Sequence, residues 1–546
     1  MSPKQQRYGL ALLSAALLWL AWPPHIWLAP LLLLAFVPLF MALQQLEQKG
    51  DARIGKKVFL TAGLTFFVWN TAAIYWVYNA ISSSGSGVLN TLISLLVSLI
   101  PYTLGALLMT FAFWLFMQVR RYVHGIIAYT ALICFYMTME YLHQSWELAF
   151  PWMTLGNGFA GMHQLAQWYE YTGVYGGSLW ILLSNILVFE AWKAWRNPER
   201  RLLRPALYAL LLLLLPTGFS LYRYKHYEEK SLPVNVVSVQ PNIDPYEKLG
   251  SMPVEAQFNI LRRLSDSVAQ ANTEYFIWPE TALPVYADEE SIRTQPIYQQ
   301  ARLFLDPYKN ASLITGIESM RWYNSKKTAT AIEYTQPGVY YDHFNAAMQV
   351  ENSDEVAFYH KSKLVPGVEK MPFPKLFAFL APVFKELGGS VSGWGWQEQA
   401  GVFYARSGIG VAPVICYESI WGDWVGQAVK DGAQFIAVIT NDGWWGNTAG
   451  KDQHLQYAKL RAIENRRWVV RSANTGISAF INQRGDIVQQ SKWWTATALK
   501  QDINLNDTLT VYTRQGDYLA LLSLGGSLLF ALLLLYHRWI KKSTHA

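Results

Sequence analysis

Three side chains of this sequence have the chemistry for acyl transfer: Glu280, Lys361 and Cys416. Cys416 ends the apolar run VAPVIC, and Tyr417-Glu418-Ser419 turn polar at once. That pattern predicts a buried strand delivering a thiol to its own carboxyl end. Glu280 follows Phe276-Ile277-Trp278-Pro279 in the same way, and Lys361 stands in Tyr359-His360-Lys361-Ser362-Lys363. Strand ends are where α/β proteins place ligands and catalysts. A free thiol, with a pKa of about 8.5, is only roughly a few per cent thiolate at pH 7. A carboxylate in reach could take its proton, and a fixed ammonium could stabilise the thiolate or a developing oxyanion. Each residue alone also has a plainer reading. A strand-end cysteine can be a small buried hydrophobe, Glu280 a helix cap, and Lys361 a solvated side chain with Lys363 as its rival.

The elements that must position these groups fall into two textures. Hydrophobic residues make up 52% of the chain and charged ones 15%, well under the share of about a quarter in soluble proteins. The 24 Trp and 31 Tyr suit a bilayer interface. Crossing ~30 Å of hydrocarbon takes about 20 apolar residues. Runs of that kind are Tyr8–Leu28, Pro30–Leu43, Val58–Ala80, Val88–Met117, Ile126–Tyr141, Gln167–Trp192, Pro205–Leu221 and Tyr518–Tyr536. About eight spans are therefore expected, with Pro101 a candidate kink in the longest. The apolar run restarts at Pro30, which favours a retained hairpin over a cleaved signal peptide.

Cations cluster in every second loop: Lys4 and Arg7; Lys49, Arg53, Lys56 and Lys57; Arg120 and Arg121; Lys193 to Arg204; and Arg538, Lys541 and Lys542. Ile81–Gly87 and Leu142–Ala166 hold no Lys or Arg. The positive-inside rule then puts both termini in the cytoplasm and the long segment before the last span outside it. The net charge of +7 is explained by topology, without a nucleic-acid partner. Of the two cysteines, Cys134 lies in an apolar segment, so neither a disulfide framework nor a metal site is indicated.

The segment between the last two spans reads differently. Short β-type runs at Val234–Val239, Tyr275–Trp278, Ser312–Gly316, Thr328–Tyr334, Val411–Cys416, Phe435–Thr440 and Trp468–Ser472 alternate with helix-period stretches such as Val254–Ala271 and His454–Asn465. That alternation argues one α/β domain. The expected division is a seven-span membrane domain over 1–230, a catalytic domain over 231–513, and a final span with a cytoplasmic tail over 514–546.

Taken together, FIWPET, YHKSKLVPGVEKMP, APVICYES and ITNDGWWG occur in an order that resembles the nitrilase superfamily. With the flanking spans, VSVQPNI, FPWMTLGNG and AKLRAIENRRWVVRSANTGISAFINQRGDI, the whole chain resembles the bacterial apolipoprotein N-acyltransferases. The resemblance implies an α-β-β-α sandwich on the extracytoplasmic side of the inner membrane. It makes Glu280 the general base, Lys361 the oxyanion stabiliser and Cys416 the nucleophile. Glu369 matches a second active-site carboxylate, and Tyr417 and Glu418 match residues that follow the nucleophile. The implied reaction is ping-pong: a phospholipid donates an acyl chain to Cys416, and the α-amine of a diacylglyceryl-cysteine apolipoprotein receives it. No cofactor or metal is needed, and a monomer is expected. Three departures touch the entrance loops: LVPGVE for LVPFGE, NDGWWG for NDAWFG, and Leu249 near an expected tryptophan.

Met371–Phe384, MPFPKLFAFLAPVF, is apolar within the extramembrane domain and reads either as a buried helix or as a lid dipping into the outer leaflet. His454 has no partner at metal spacing and reads as structural, Cys134 as helix packing, and Glu140, Glu170 and Glu190 as snorkelling or capping groups. Two rival functions remain. A membrane-anchored nitrilase-type amidase would use the same three residues, with water resolving the thioester. A transporter with an external domain would want ionisable groups at mid-bilayer, and these spans carry almost none.

Overall fold

The computed structural model describes residues 2–48, 53–82, 87–197, 202–248, 250–377 and 393–543. Two compact units emerge: one of Met1–Tyr78, Thr91–His226 and Gln515–Ala546, the other of Asn79–Asn90 and Tyr227–Arg514.

The first unit is helical. Among the described residues six helices are long and apolar enough to cross a membrane, or seven if the pair Ile54–Ala73 and Trp76–Ser82, bent by 59°, counts as one. The expected first span, Tyr8–Leu28, is not among them. Its helix covers Pro3–Leu20 and stops ahead of Pro23-Pro24, where a proline restricts its predecessor and removes a donor. The chain resumes as a 3₁₀ turn over Ile26–Leu33 and a helix over Val37–Gln48. Asn185 closes this break: its Oδ1 accepts from Phe36 N (2.7 Å) and its Nδ2 donates to Leu32 O (2.7 Å). Backbone groups at such breaks need protein partners when no water is at hand.

Val88–Val119 runs through Pro101 as one helix. Tyr169–Arg196 bends at Gly173, whose φ of +61° favours glycine. Phe36, Phe66, Phe113 and Tyr136 pack ring against ring at the centre. Leu207, Leu210, Leu211, Leu214 and Leu215 of the helix Leu203–His226 are exposed, as are Leu521, Leu522, Leu528 and Leu529 of Tyr518–Ser543. Patches of that size suit hydrocarbon rather than water.

Two of the acids expected to snorkel or cap, Glu140 and Glu170, are buried. Glu140 accepts from Leu155 N (2.7 Å), and Glu170 pairs with Arg223 (2.8 Å). Burial demands such partners, which the sequence could not reveal. Cys134 packs where Gly526 leaves room for its sulfur.

The second unit is built on two sheets. The larger contains β1 (Pro233–Gln240), β2 (Thr273–Ile277), β3 (Leu283–Asp288), β4 (Ser312–Tyr323), β5 (Ile332–Glu333), β6 (Tyr340–Glu351), β7 (Val356–His360) and, from much later in the chain, β14 (Thr497–Asn504). Its order is β14-β1-β2-β4-β6-β5, with β3 on β4 and β7 on β6. The smaller sheet contains β8 (Phe403–Tyr404), β9 (Gly410–Ile415), β10 (Phe435–Thr440), β11 (Val469–Ala473), β12 (Ala479–Ile481) and β13 (Ile487–Gln490), in the order β13-β12-β11-β10-β9-β8.

The sheets face each other. Val236, Tyr275, Ile277 and Ile314 of the larger sheet share a core with Val411, Ile415, Phe435, Ala437 and Val470 of the smaller. Their alternate residues turn outward onto helices. Phe276 and Leu313 pack under Val254–Val268 and Pro296–Leu305, while Ala412, Val414, Ile436 and Val438 pack under Gly422–Lys430 and Ala449–Asn465. This is an α-β-β-α sandwich. Strands covered on both faces carry continuous apolar runs, which is why β9 and β10 were readable. The expected strand Thr328–Tyr334 is mostly loop, with only the short β5 inside it.

Candidate active site

Glu280, Lys361 and Cys416 each stand just beyond the carboxyl end of a strand: β2, β7 and β9. The first two meet directly. Lys361 Nζ donates to Glu280 Oε1 (3.2 Å) and to Glu369 Oε1 (2.7 Å). Its side chain is 1% exposed. Asn345 of β6 joins the same pair of acids, its Nδ2 lying 2.8 Å from Glu280 Oε1 and 3.1 Å from Glu369 Oε1. Its carbonyl O also accepts from Lys361 N (2.8 Å). Nothing in the sequence FNAAM marked Asn345; it became visible only when β6 aligned with both acid-bearing loops.

The turn carrying Glu280 is tightly built. Thr281 adopts φ +45°, and a Cβ on Gly316 would come within 2.3 Å of Thr281 N and 2.6 Å of Glu280 Cα. Only glycine allows β4 to lie this close. Lys248 spans the turn from the other side, donating to Glu280 O (2.8 Å) and Thr281 Oγ1 (2.7 Å). Glu369 is presented by a short loop in which Gly367 takes φ +84°. Val365 N donates to Glu369 Oε2 (2.8 Å), so LVPGVE folds into a closed turn with its glycine where the geometry needs one.

Cys416 has φ +52° and begins the 3₁₀ turn Cys416–Ile420. That conformation is uncommon for a non-glycine residue and collects at functional sites. Beneath the turn lies a wholly buried network. Cys416 O accepts from Ser419 Oγ (2.8 Å) and faces His454 Nε2 (3.2 Å). His454 Nδ1 lies 3.0 Å from Asp442 Oδ1, and Arg471 donates to Asp442. His454 thus braces the backbone carbonyl of Cys416.

Glu418 does not face open space. Fully buried, it accepts from Ser362 N (2.6 Å), Tyr359 Oη (2.8 Å) and Ile415 N (2.8 Å). It therefore ties the Lys361 loop to the strand that carries Cys416. Tyr417 is buried against Trp421, with ring centres 4.8 Å apart. Residues 378–392, which include half of the apolar stretch Met371–Phe384, and Leu249 lie outside the described residues.

Burial pushes the Cys416 thiol well above its ordinary pKa; the Glu280 carboxylate adds to this, and Lys361 opposes both. Burial alone would pull Lys361 down. Glu280, Glu369 and Cys416 outweigh it and hold the ammonium well above the usual lysine value. Burial thus favours the thiol form of Cys416, and the two acids favour the ammonium form of Lys361. Such a set can remove a proton from sulfur as it attacks and can steady an oxyanion.

Residues 14–187 match the apolipoprotein N-acyltransferase N-terminal domain, and residues 235–511 match the carbon-nitrogen hydrolase family. An apolipoprotein N-acyltransferase of Pseudomonas aeruginosa strain LESB58 is 30% identical over 516 residues, covering 92% of this chain and 91% of its own. The chain belongs to the apolipoprotein N-acyltransferase family. A second member of this family, from Chlorobaculum tepidum, is 29% identical over 95% of this chain and 94% of its own. A solved nitrilase-superfamily protein of Saccharomyces cerevisiae aligns over 50% of this chain and 90% of its own, at 13% identity and a TM-score of 0.35. The two matched regions correspond to the helical unit and the two-sheet unit of this apolipoprotein N-acyltransferase family member.

Proposed function

We propose that the chain transfers a fatty acyl group from a phospholipid to the α-amine of an apolipoprotein's N-terminal diacylglyceryl-cysteine. The observation that carries this reading is similarity along nearly the whole chain, apolar helices included, to relatives bearing that name. In this proposal residues 1–230 and 514–546 form the membrane domain and 231–513 the catalytic domain. Both termini are cytoplasmic, the catalytic domain lies outside the inner membrane, and the expected count of spans is about eight.

The reaction runs in two halves. In the first, Glu280 takes the Cys416 proton as sulfur attacks the ester carbonyl, and the C=O π pair moves onto oxygen. Lys361, with the Tyr417 backbone N–H at the start of the turn, steadies that oxyanion. The ester C–O bond breaks, and the departing lysophospholipid oxygen takes the proton from Glu280, leaving a thioester. In the second, Glu280 accepts a proton from the attacking amine, the C–S bond breaks, and the thiolate is reprotonated as the amide forms. Glu369 and Asn345 hold the Lys361 and Glu280 side chains in register; Glu418 holds the two loops together.

The distinguishing experiment supplies phospholipid with or without a diacylglyceryl-cysteine peptide and follows both products. Peptide amide should accumulate, and free fatty acid should stay at background. Fatty acid released at one rate with or without peptide would make the protein a hydrolase of the same superfamily.

A further inference from the structure

A second polar site lies within the helical unit, among residues the chemistry does not use. A cavity of about 250 Å³ is lined by Glu47, Gly55, Gln118, Arg120, Arg121 and His124, among others. It occupies the end of the unit where Val37–Gln48 and Val88–Val119 finish and Ile54–Ala73 begins. That volume is several times the ~30 Å³ of one water.

The hydrogen-bonding groups around it are unbalanced. Gln118 is 7% exposed, yet its side-chain amide has no hydrogen-bond partner among the described residues. Arg120 gives Nη2 to Glu47 (2.8 Å), but its buried Nε has no hydrogen-bond partner among the described residues. The same guanidinium lies over the Phe116 and Tyr129 rings, 5.6 and 6.0 Å from their centres, which fixes its place. Glu47, the acid of the lining, is already taken by Arg120. The helix Ile54–Ala73 starts without a side-chain cap, so its first amides lack intrahelical acceptors. Gly55, on that first turn, lines the cavity, and a Cβ there would sit 3.3 Å from Trp114 Nε1 and 3.6 Å from Gln118 Nε2. Surplus donors, guanidinium charge and a helix N-terminus together call for an anion.

We infer that this cavity binds a phosphate oxyanion carried by the headgroup of an anionic phospholipid, at a site separate from the acyl donor's. Basic pockets between membrane helices fit such headgroups. The inference needs the helices to span a bilayer but no step of the acyl transfer.

The test uses the full chain with Cys416→Ala, so that no acyl group is exchanged, in neutral detergent. Thermal shifts are titrated with dihexanoyl-phosphatidylglycerol, dihexanoyl-phosphatidylcholine and sodium phosphate. Phosphatidylglycerol should stabilise saturably and phosphatidylcholine should not. Adding Gln118→Leu and Arg121→Gln should weaken the phosphatidylglycerol Kd at least tenfold, whereas Arg121→Lys should stay within about threefold of the parent. An unchanged Kd in the double variant, or an equal response to phosphatidylcholine, would overturn the site. Inorganic phosphate saturating it as tightly as phosphatidylglycerol would overturn the lipid headgroup as its occupant. Because the assay needs no turnover, its outcome is independent of the proposed reaction.

Discussion

Lys361 keeps its charge in a place where burial opposes it, because Glu280 and Glu369 stand within 3.2 and 2.7 Å. A cation so enclosed can stabilise an oxyanion without reorganising. Lys361→Met should lower kcat by about 10²–10³-fold, the usual effect of removing one oxyanion donor, with little change in KM; steady-state kinetics on a short-chain phospholipid measures both. Cys416 has the opposite problem. A pKa raised by burial keeps the thiol protonated through neutral pH, so the thiolate fraction climbs tenfold per pH unit below that value. Iodoacetamide alkylation of Cys416, read by mass in protein carrying Cys134→Ser, should rise steadily from pH 7 to 9. A plateau beginning below pH 8 would mean a preformed thiolate and would contradict base catalysis by Glu280. Glu280 and Cys416 stand out in the sequence because each follows an apolar β-type run, whereas Lys361, set among polar residues with Lys363 beside it, was picked out through the family resemblance. Asn345 did not stand out, since an asparagine inside a strand has no local signature.

At the scale of elements, strand ends are held by contacts far apart in sequence. β4 can pass beside the Glu280 turn only because Gly316 lacks a side chain. Gly316→Ala should displace that turn and cost about 10²-fold in kcat, the order expected for a 1 Å misplacement, while circular dichroism stays unchanged. Asp442 holds the Cys416 turn through His454 and pairs with Arg471, all three fully buried. Burial alone would raise its pKa, but Arg471 and His454 hold it below the usual aspartate value. A depressed carboxylate contributes stability that is present above its unfolded pKa of about 3.9 and is lost as pH falls through the folded value. Asp442→Asn should therefore destabilise the protein by about 3–5 kcal/mol near neutrality. That gap should narrow below about pH 4 in denaturant titrations. The β-type runs in the sequence matched β1, β2, the start of β4, β9, β10 and β11, strands that are buried along nearly all of the matched residues. They missed β6 as a strand, because TyrTyrAspHisPheAsn mixes polar and aromatic residues, and pairing with β4 rather than local preference makes it one.

At the scale of the whole molecule, composition suggested a membrane part and an α/β part; the family models match residues 14–187 and 235–511. The first helix was misplaced because hydropathy continues through Trp22-Pro23-Pro24, whereas the backbone cannot continue as helix there. Topology remains a prediction with a direct check. In a chain lacking Cys134 and Cys416, Lys326→Cys should react with a membrane-impermeant maleimide on intact spheroplasts. Arg121→Cys should react only after permeabilisation. Labelling in the reverse order would invert the orientation.

The central claim is that Cys416 carries the acyl chain between donor and acceptor. The most direct measurement is the intact mass of purified protein after incubation with phospholipid alone, for the natural sequence and for Cys416→Ala. One added acyl mass is expected on the natural sequence only, removed by a diacylglyceryl-cysteine peptide as that peptide gains an amide. An identical adduct on Cys416→Ala, or acylated peptide formed by that variant at an undiminished rate, would contradict it.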